Sequence, residues 1–271
     1  MKKCYTTVLT IAGSDGSGGA GIQADIKTFA ALECFGLSVI TALTAQNTIG
    51  VRSVYPVDEK CITEQFRSIS EDIAIDAVKI GMLGSTSAIK TVASLIKELQ
   101  GNPPVIVDTV LASSGGRPLL PPEAIPLMKK ELFPLASLIT PNLPETALLT
   151  GMKEPPATQE AIESAAVQLL ETGAAAVLVK GGHGEGEECH DCLLYDNSFF
   201  WFSSKKIITG NTHGTGCTLS AAIAAFMARE ESIDSAVGMA KEYINEALQA
   251  GAAYNLGNGC GPLHHLHRLW L

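Results

Sequence analysis

Short apolar runs bounded by Gly, Pro, Asn or Asp alternate along the chain with longer stretches whose apolar residues recur at helical spacing. The runs at 7–12, 38–45, 77–80, 105–108, 138–140 and 176–180 are nearly continuous in apolar and β-branched residues. Such runs suit strands buried on both faces of a parallel sheet. Between them, helical patterns cover 20–32, 59–73, 86–99, 122–132, 144–150 and 159–172. This alternation predicts an α/β fold with helices on both faces of a mostly parallel sheet. Residues 193–195 and 199–202 flank Asp196-Asn197-Ser198 and read as a small antiparallel hairpin. Two further helices, 214–229 and 233–254, close the pattern. No composition break or long linker interrupts it, so 1–271 is expected to form one domain.

The polar and glycine-rich clusters fall where the predicted strands end: Gly13-Ser14-Asp15, Gln46-Asn47, Gly81, Asp108, Pro141-Asn142 and Gly181-Gly182-His183. Open parallel sheets bind ligands along that carboxyl edge.

Composition narrows what such a ligand can be. With 46% hydrophobic and 17% charged residues, the 271-residue chain has the apolar surface to fold, which excludes disorder. No apolar run reaches the roughly 18 residues of a membrane span. The first residues lack the apolar core of a signal peptide, and a cytoplasmic protein is expected. A net charge of −9 without a basic block argues against a nucleic-acid partner. A phosphorylated small molecule stays open, provided backbone N–H groups, a helix N-terminus, a metal ion or a placed Lys receive it. The seven Cys are scattered and are expected as reduced thiols.

Several motifs carry candidate chemistry. Gly16, Gly18 and Gly21 match a dinucleotide-binding fingerprint, but no Asp or Glu stands between Gly36 and Val57 to hold a ribose. A glycine-rich wall approached by a small ligand is the better reading. Gly214-Thr215-Gly216-Cys217 opens an Ala-rich helix, where N–H groups can converge on an anion. The helix dipole there would lower a thiol pKa, which makes Cys217 a candidate low-pKa thiol. Lys180 before two glycines suits a phosphate contact. Asn142 and Glu145 suit either a Mg²⁺ shell reached through water or a helix capping box. Cys189-His190-Asp191-Cys192, with His183 nearby, has two metal-type thiols but runs into a strand, so metal and redox readings are set aside. The same holds for His264, His265 and His267, which read as a packed tail.

Taken together, residues 12–25, 41–51, 79–83, 108–110, 140–145, 180–183, 211–220 and 259–267 closely resemble the bacterial hydroxymethylpyrimidine/phosphomethylpyrimidine kinases of the ribokinase-like superfamily. Asn-Thr-His-Gly-Thr-Gly-Cys at 211–217 is especially specific, since sugar kinases of that superfamily usually carry Asp at the Cys217 position. Gly16 stands where Pro is common. The resemblance implies a three-layer α/β/α sandwich and a homodimer. It also implies ATP- and Mg²⁺-dependent phosphorylation of 4-amino-5-hydroxymethyl-2-methylpyrimidine to its monophosphate and then its diphosphate. Gln46 would bond the pyrimidine, with Gly13, Met82 and Val110 as the pocket wall and Asp25 orienting the pocket or packing at its helix. Gly214, Thr215, Gly216 and Cys217 would form the catalytic turn, with Cys217 taking the proton of the acceptor hydroxyl. Lys180, Asn142, Thr212 and Gly182 would bind ATP, and Asp108 and Glu145 would organise Mg²⁺, with Asn142 helping to order its waters. Pyridoxal kinase, of the same fold, is the rival reading; a non-catalytic NAD- or metal-binding regulator is the rival from another class.

Overall fold

The computed structural model describes residues 3–113, 115–182 and 186–270. Among these, nine strands form one sheet: β1 (Thr7–Asp15), β2 (Phe35–Asn47), β3 (Gly50–Pro56), β4 (Ala77–Ile80), β5 (Val105–Val107), β6 (Leu138–Ile139), β7 (Ala176–Val179), β8 (Glu188–Tyr195) and β9 (Ser198–Lys205). Their order is β3-β2-β1-β4-β5-β6-β7-β8-β9. The strands from β2 to β7 are parallel; β3 at one end and the β8–β9 hairpin at the other are antiparallel. The helices are α1 (Gly21–Ala31), α2 (Glu59–Ser70), α3 (Thr86–Glu98), α4 (Ala124–Glu131), α5 (Leu143–Thr150), α6 (Gln159–Leu170), α7 (Thr215–Ala228) and α8 (Ile233–Gly251).

The period-two alternation of strand side chains divides the interior into two cores. On one face Leu9, Ile11, Val78, Ile80, Val105 and Val107 pack with Ile62, Phe66, Ile89, Val92 and Leu169 from α2, α3 and α6. On the other, Val8, Ala77, Ile106, Ala176 and Leu178 pack with Phe29, Ala221, Ala225 and Ile244 from α1, α7 and α8. This is the expected three-layer sandwich, and the six predicted strands all lie in its parallel part.

Strand β3 is absent from the sequence reading. It is an edge strand with no buried residue, its centre is Arg52-Ser53, and Pro56 ends it, so it carries none of the apolar signal that marks the central strands. The hairpin is longer than 193–202 predicts. Its turn residues Asp196 and Asn197 both have positive φ, which matches the strand twist.

Helix α7 sets the site. It is apolar all round and buried along most of its length, as such a helix must be. Ala221, Ala222, Ala224 and Ala225 are fully buried. Their small side chains let the helix lie between α1 and α8 and against β1, β4 and β5. Its N-terminus therefore meets the carboxyl ends of the central strands. None of the helices among the described residues is long and apolar enough to cross a membrane.

Candidate active site

Asp108 follows β5 directly and Lys180 follows β7. Lys180 Nζ lies 2.9 Å from Asp108 Oδ1. Thr140 Oγ1 donates to the same oxygen at 3.3 Å, and Ser220 Oγ from α7 donates to Oδ2 at 3.2 Å. Burial pushes the Asp108 carboxyl up, but the Lys180 and Lys79 charges outweigh it and hold it below its usual range. For Lys180, burial works against the charge and Asp108 restores it, so the ammonium stays protonated. Gly216, in the first turn of α7, lies beside this pair: a Cβ there would be 3.3 Å from Lys180 Nζ.

Behind Lys180 stands a second buried pair that the sequence reading missed. The Gly181 N–H donates to Asp191 Oδ1 at 2.7 Å, and Lys241 Nζ from α8 donates to Oδ2 at 2.5 Å. The signal was present: Lys241 interrupts the buried stripe Val237, Ala240 and Ile244 of α8, and Asp191 precedes the buried run 192–194. The expected site residue Gly182 is exposed; His183 lies outside the described residues.

Asn142 caps α5. Its side-chain oxygen accepts from Glu145 N at 2.8 Å, and Glu145 Oε2 accepts from Asn142 N at 3.0 Å, a complete capping box. Glu145 also accepts from Thr109 Oγ1 at 2.7 Å and from Leu111 N at 3.0 Å. Both carboxylate oxygens are thus engaged within the protein. Of the two readings open from sequence, the capping box is present, and the same carboxylate straps α5 to the end of β5.

On the other side of α7, Gly13 lies so near Met82 that a Cβ would fall 2.5 Å from the Met82 methyl. Val110, two residues after Asp108, is half-buried. Gln46, near the end of β2, places Nε2 3.1 Å from His213 Nε2, and His213 Nε2 lies 2.8 Å from Asp15 Oδ2. Asp15 also accepts from Ser17 N and Ala20 N. The fingerprint loop therefore spends these N–H groups on its own aspartate, which disfavours a pyrophosphate there. Burial raises the Asp15 carboxyl, yet these bonds prevail and hold it at about 2. With Nε2 donating to Asp15, His213 ties the wall loop to the start of α7, and the Gln46 amide lies beside it.

Asp25 is corrected from its expected place in the pocket. It is fully buried, paired with Lys79 Nζ at 2.9 and 3.0 Å and accepting from Thr10 Oγ1 at 2.6 Å. Burial opposes the Lys79 charge, and the Asp25 carboxylate more than restores it. The pair underlies the site without facing it.

Gly214, the N-cap of α7, has φ 83°, and a Cβ there would fall 1.8 Å from Gly19 O; only Gly meets both demands. The N–H groups of Gly216 and Cys217 lie in the turn that no preceding helical carbonyl can satisfy. Thr215 Oγ1 donates to Thr212 O, and Thr212, exposed, contacts Cys260 Sγ at 3.3 Å. Cys217 is half-buried by exposure. Its thiol is pushed up to about 11 by burial, with the Asp108 and Asp25 carboxylates adding to the rise against Lys79. Desolvation and two nearby carboxylates thus oppose the lowering expected from the helix terminus.

Cys192 is buried in the core of β8 and Cys189 lies three residues away on the other side of the strand. His265 bonds Thr218 and His267 bonds Glu246. Among the described residues no three His, Cys, Asp or Glu gather as metal ligands.

This sheet, with paired charges and an open helix terminus at its carboxyl edge, defines a ribokinase-like kinase. The structure of Bacillus subtilis pyridoxal kinase in an ADP complex superposes with TM-score 0.89 at 37% identity, over 98% of this chain and 100% of that one. Phosphomethylpyrimidine kinase from Clostridium difficile 630 gives TM-score 0.78 at 43% identity, over 89% and 98%. The phosphomethylpyrimidine kinase family model matches residues 15–264. The hydroxymethylpyrimidine/phosphomethylpyrimidine kinase of Escherichia coli (strain K12) is 46% identical over 262 residues, 97% of this chain and 98% of that protein. The chain belongs to the phosphomethylpyrimidine kinase family.

Proposed function

We propose that this kinase uses ATP to phosphorylate 4-amino-5-hydroxymethyl-2-methylpyrimidine and then phosphorylates the monophosphate to the diphosphate, in thiamine biosynthesis. The observation that carries this reading is the placement of Gln46 and the Lys180–Asp108 pair on either side of the α7 N-terminus, in a chain 46% identical to the E. coli kinase of that name. The Gln46 amide offers a donor and an acceptor, which suits an aminopyrimidine edge. Gly13, Met82 and Val110 form the apolar wall.

Phosphoryl transfer needs positioning and charge neutralisation more than covalent help. The N–H groups of the α7 first turn receive the transferring phosphoryl group, and Lys180 neutralises the phosphates. Thr212, Asn142 and Gly182 border the nucleotide. Mg²⁺ is ordinarily held by one or two carboxylates together with substrate phosphates. Asp108 and, through water, Glu145 would hold the ion, which would supply further neutralisation. Cys217, as its thiolate, takes the acceptor hydroxyl proton in the first step. The second acceptor is already an anionic phosphate and needs no base.

The superposition on pyridoxal kinase at TM-score 0.89 favours pyridoxal as the second reading. ³¹P NMR of the protein with Mg²⁺-ATP and hydroxymethylpyrimidine, beside a pyridoxal sample, tests the assignment. The pyrimidine monophosphate followed by the diphosphate supports it; phosphorylated pyridoxal with the pyrimidine untouched overturns it.

The enzyme acts in the cytoplasm as a single-domain homodimer in this proposal. The free edge of β3 supports the dimer, with exposed Leu43, Ile49 and Tyr55 around it.

A further inference from the structure

Val110 has φ 33°. That is left-handed backbone, where a β-branched residue is a true outlier and persists only when its surroundings impose it. The residues on both sides of Val110 are gripped by one carboxylate. Glu145 Oε2 accepts from Thr109 Oγ1 at 2.7 Å, and Oε1 accepts from Leu111 N at 3.0 Å. The same side chain is anchored at its other end by the capping box of α5. Glu145 is 6% exposed and Thr109 1%, so water does not compete for these bonds.

We propose that Glu145 is a positioning residue for the acceptor pocket: it holds the Thr109–Leu111 turn in the left-handed geometry that sets Val110 in the pocket wall. The inference rests on reading Val110 as part of that wall. The capping box alone does not require it, because the contacts with Thr109 and Leu111 reach from α5 across to the end of β5. The arrangement ties the nucleotide side, where Asn142 sits, to the acceptor side through one carboxylate.

The test is steady-state kinetics on Glu145→Gln, Thr109→Val, Val110→Gly and the double variants, reading KM for the pyrimidine and KM for ATP. Thr109→Val keeps the α5 cap and serves if Glu145→Gln does not fold. Glu145→Gln should raise the pyrimidine KM about tenfold, the scale of a lost buried charged hydrogen bond. Thr109→Val should move the same constant by less. Glycine takes positive φ without strain, so the effect of either change should shrink below about twofold in the Val110→Gly background. An undiminished effect in that background overturns the inference. So does a Glu145→Gln variant that leaves the pyrimidine KM alone. If Val110→Gly itself leaves the pyrimidine KM unchanged, Val110 is not in the wall, and the failure lies in the reading of the pocket.

Discussion

On the nucleotide side of the α7 N-terminus, charges are paired in advance: Lys180 lies on Asp108, and Lys241 on Asp191 behind it. On the acceptor side, in this proposal, Gly13, Met82, Val110 and the Gln46 amide face the ring, and the Lys79–Asp25 pair is fully buried. The difference follows the ligands. A polyphosphate demands fixed positive charge, and preorganised charge works because it need not reorganise during transfer. Burying such pairs carries a desolvation cost that stability alone does not repay. A neutral aminopyrimidine demands shape and one amide. In this proposal substrate identity resides on the acceptor side, so that a pyridoxal kinase shares the frame closely while acting on another ring.

The largest effect expected from breaking this division is at Cys217, where the two sides meet. Cys217→Ala should lower kcat/KM of the first phosphorylation about 10²- to 10³-fold, the range of a lost general base, and the second only slightly. The free thiol titrates at about 11, so its thiolate fraction grows as pH rises toward that value. First-step kcat/KM should thus climb about tenfold per unit across roughly pH 7.5 to 9.5, with the second step flat. Separate assays of the two steps against pH check both points; equal losses, or a first step that levels off near neutrality, would contradict them.

A smaller effect sharpens the nucleotide side alone. Asp191→Ala removes the acceptor of the Gly181 N–H, so the chain carrying Lys180 loosens. KM for ATP should rise about tenfold, as for a buried donor left unpaired, with the pyrimidine KM unchanged. Asp191→Asn/Lys241→Met keeps an acceptor without a buried charge and should recover most of the loss. Both constants rising together would show general damage instead.

The smallest expected effect lies outside both halves. Burial, with the Lys27 charge adding, lowers His265 to about 3 from the ordinary 6.5. Below pH 6.5 the unfolded chain takes a proton that the folded one refuses, so this stability is complete above 6.5 and is lost as pH falls toward 3. His265→Gln should flatten the fall of Tm in that window while leaving activity at pH 7.5 nearly intact, as thermal melts across pH would read.

The frame was legible because central strands declare themselves: Ala77-Val78-Lys79-Ile80 is buried throughout, and its one charge marks a buried pair. Strand β3 did not, since an edge strand solvated on both faces needs no apolar period. The site was legible as a set of strand-end residues, but their mutual relations were not. Glu145 offered the letters of a capping box, but its bonds to Thr109 and Leu111 arise only through the fold. For Cys217, the helix terminus is written locally in the sequence, whereas Asp25 and Asp108, which push the thiol up, arrive from α1 and β5 through the fold. Asp191 was read with its neighbouring cysteines, because its partner Lys241 lies 50 residues away.

The measurement that bears most directly on the two-sided site is a paired determination of both KM values in Gln46→Leu and Lys180→Met. The account predicts a clean partition: Gln46→Leu raises KM for the pyrimidine and leaves that for ATP, while Lys180→Met weakens ATP and leaves the pyrimidine. Variants that each weaken both substrates alike would contradict it.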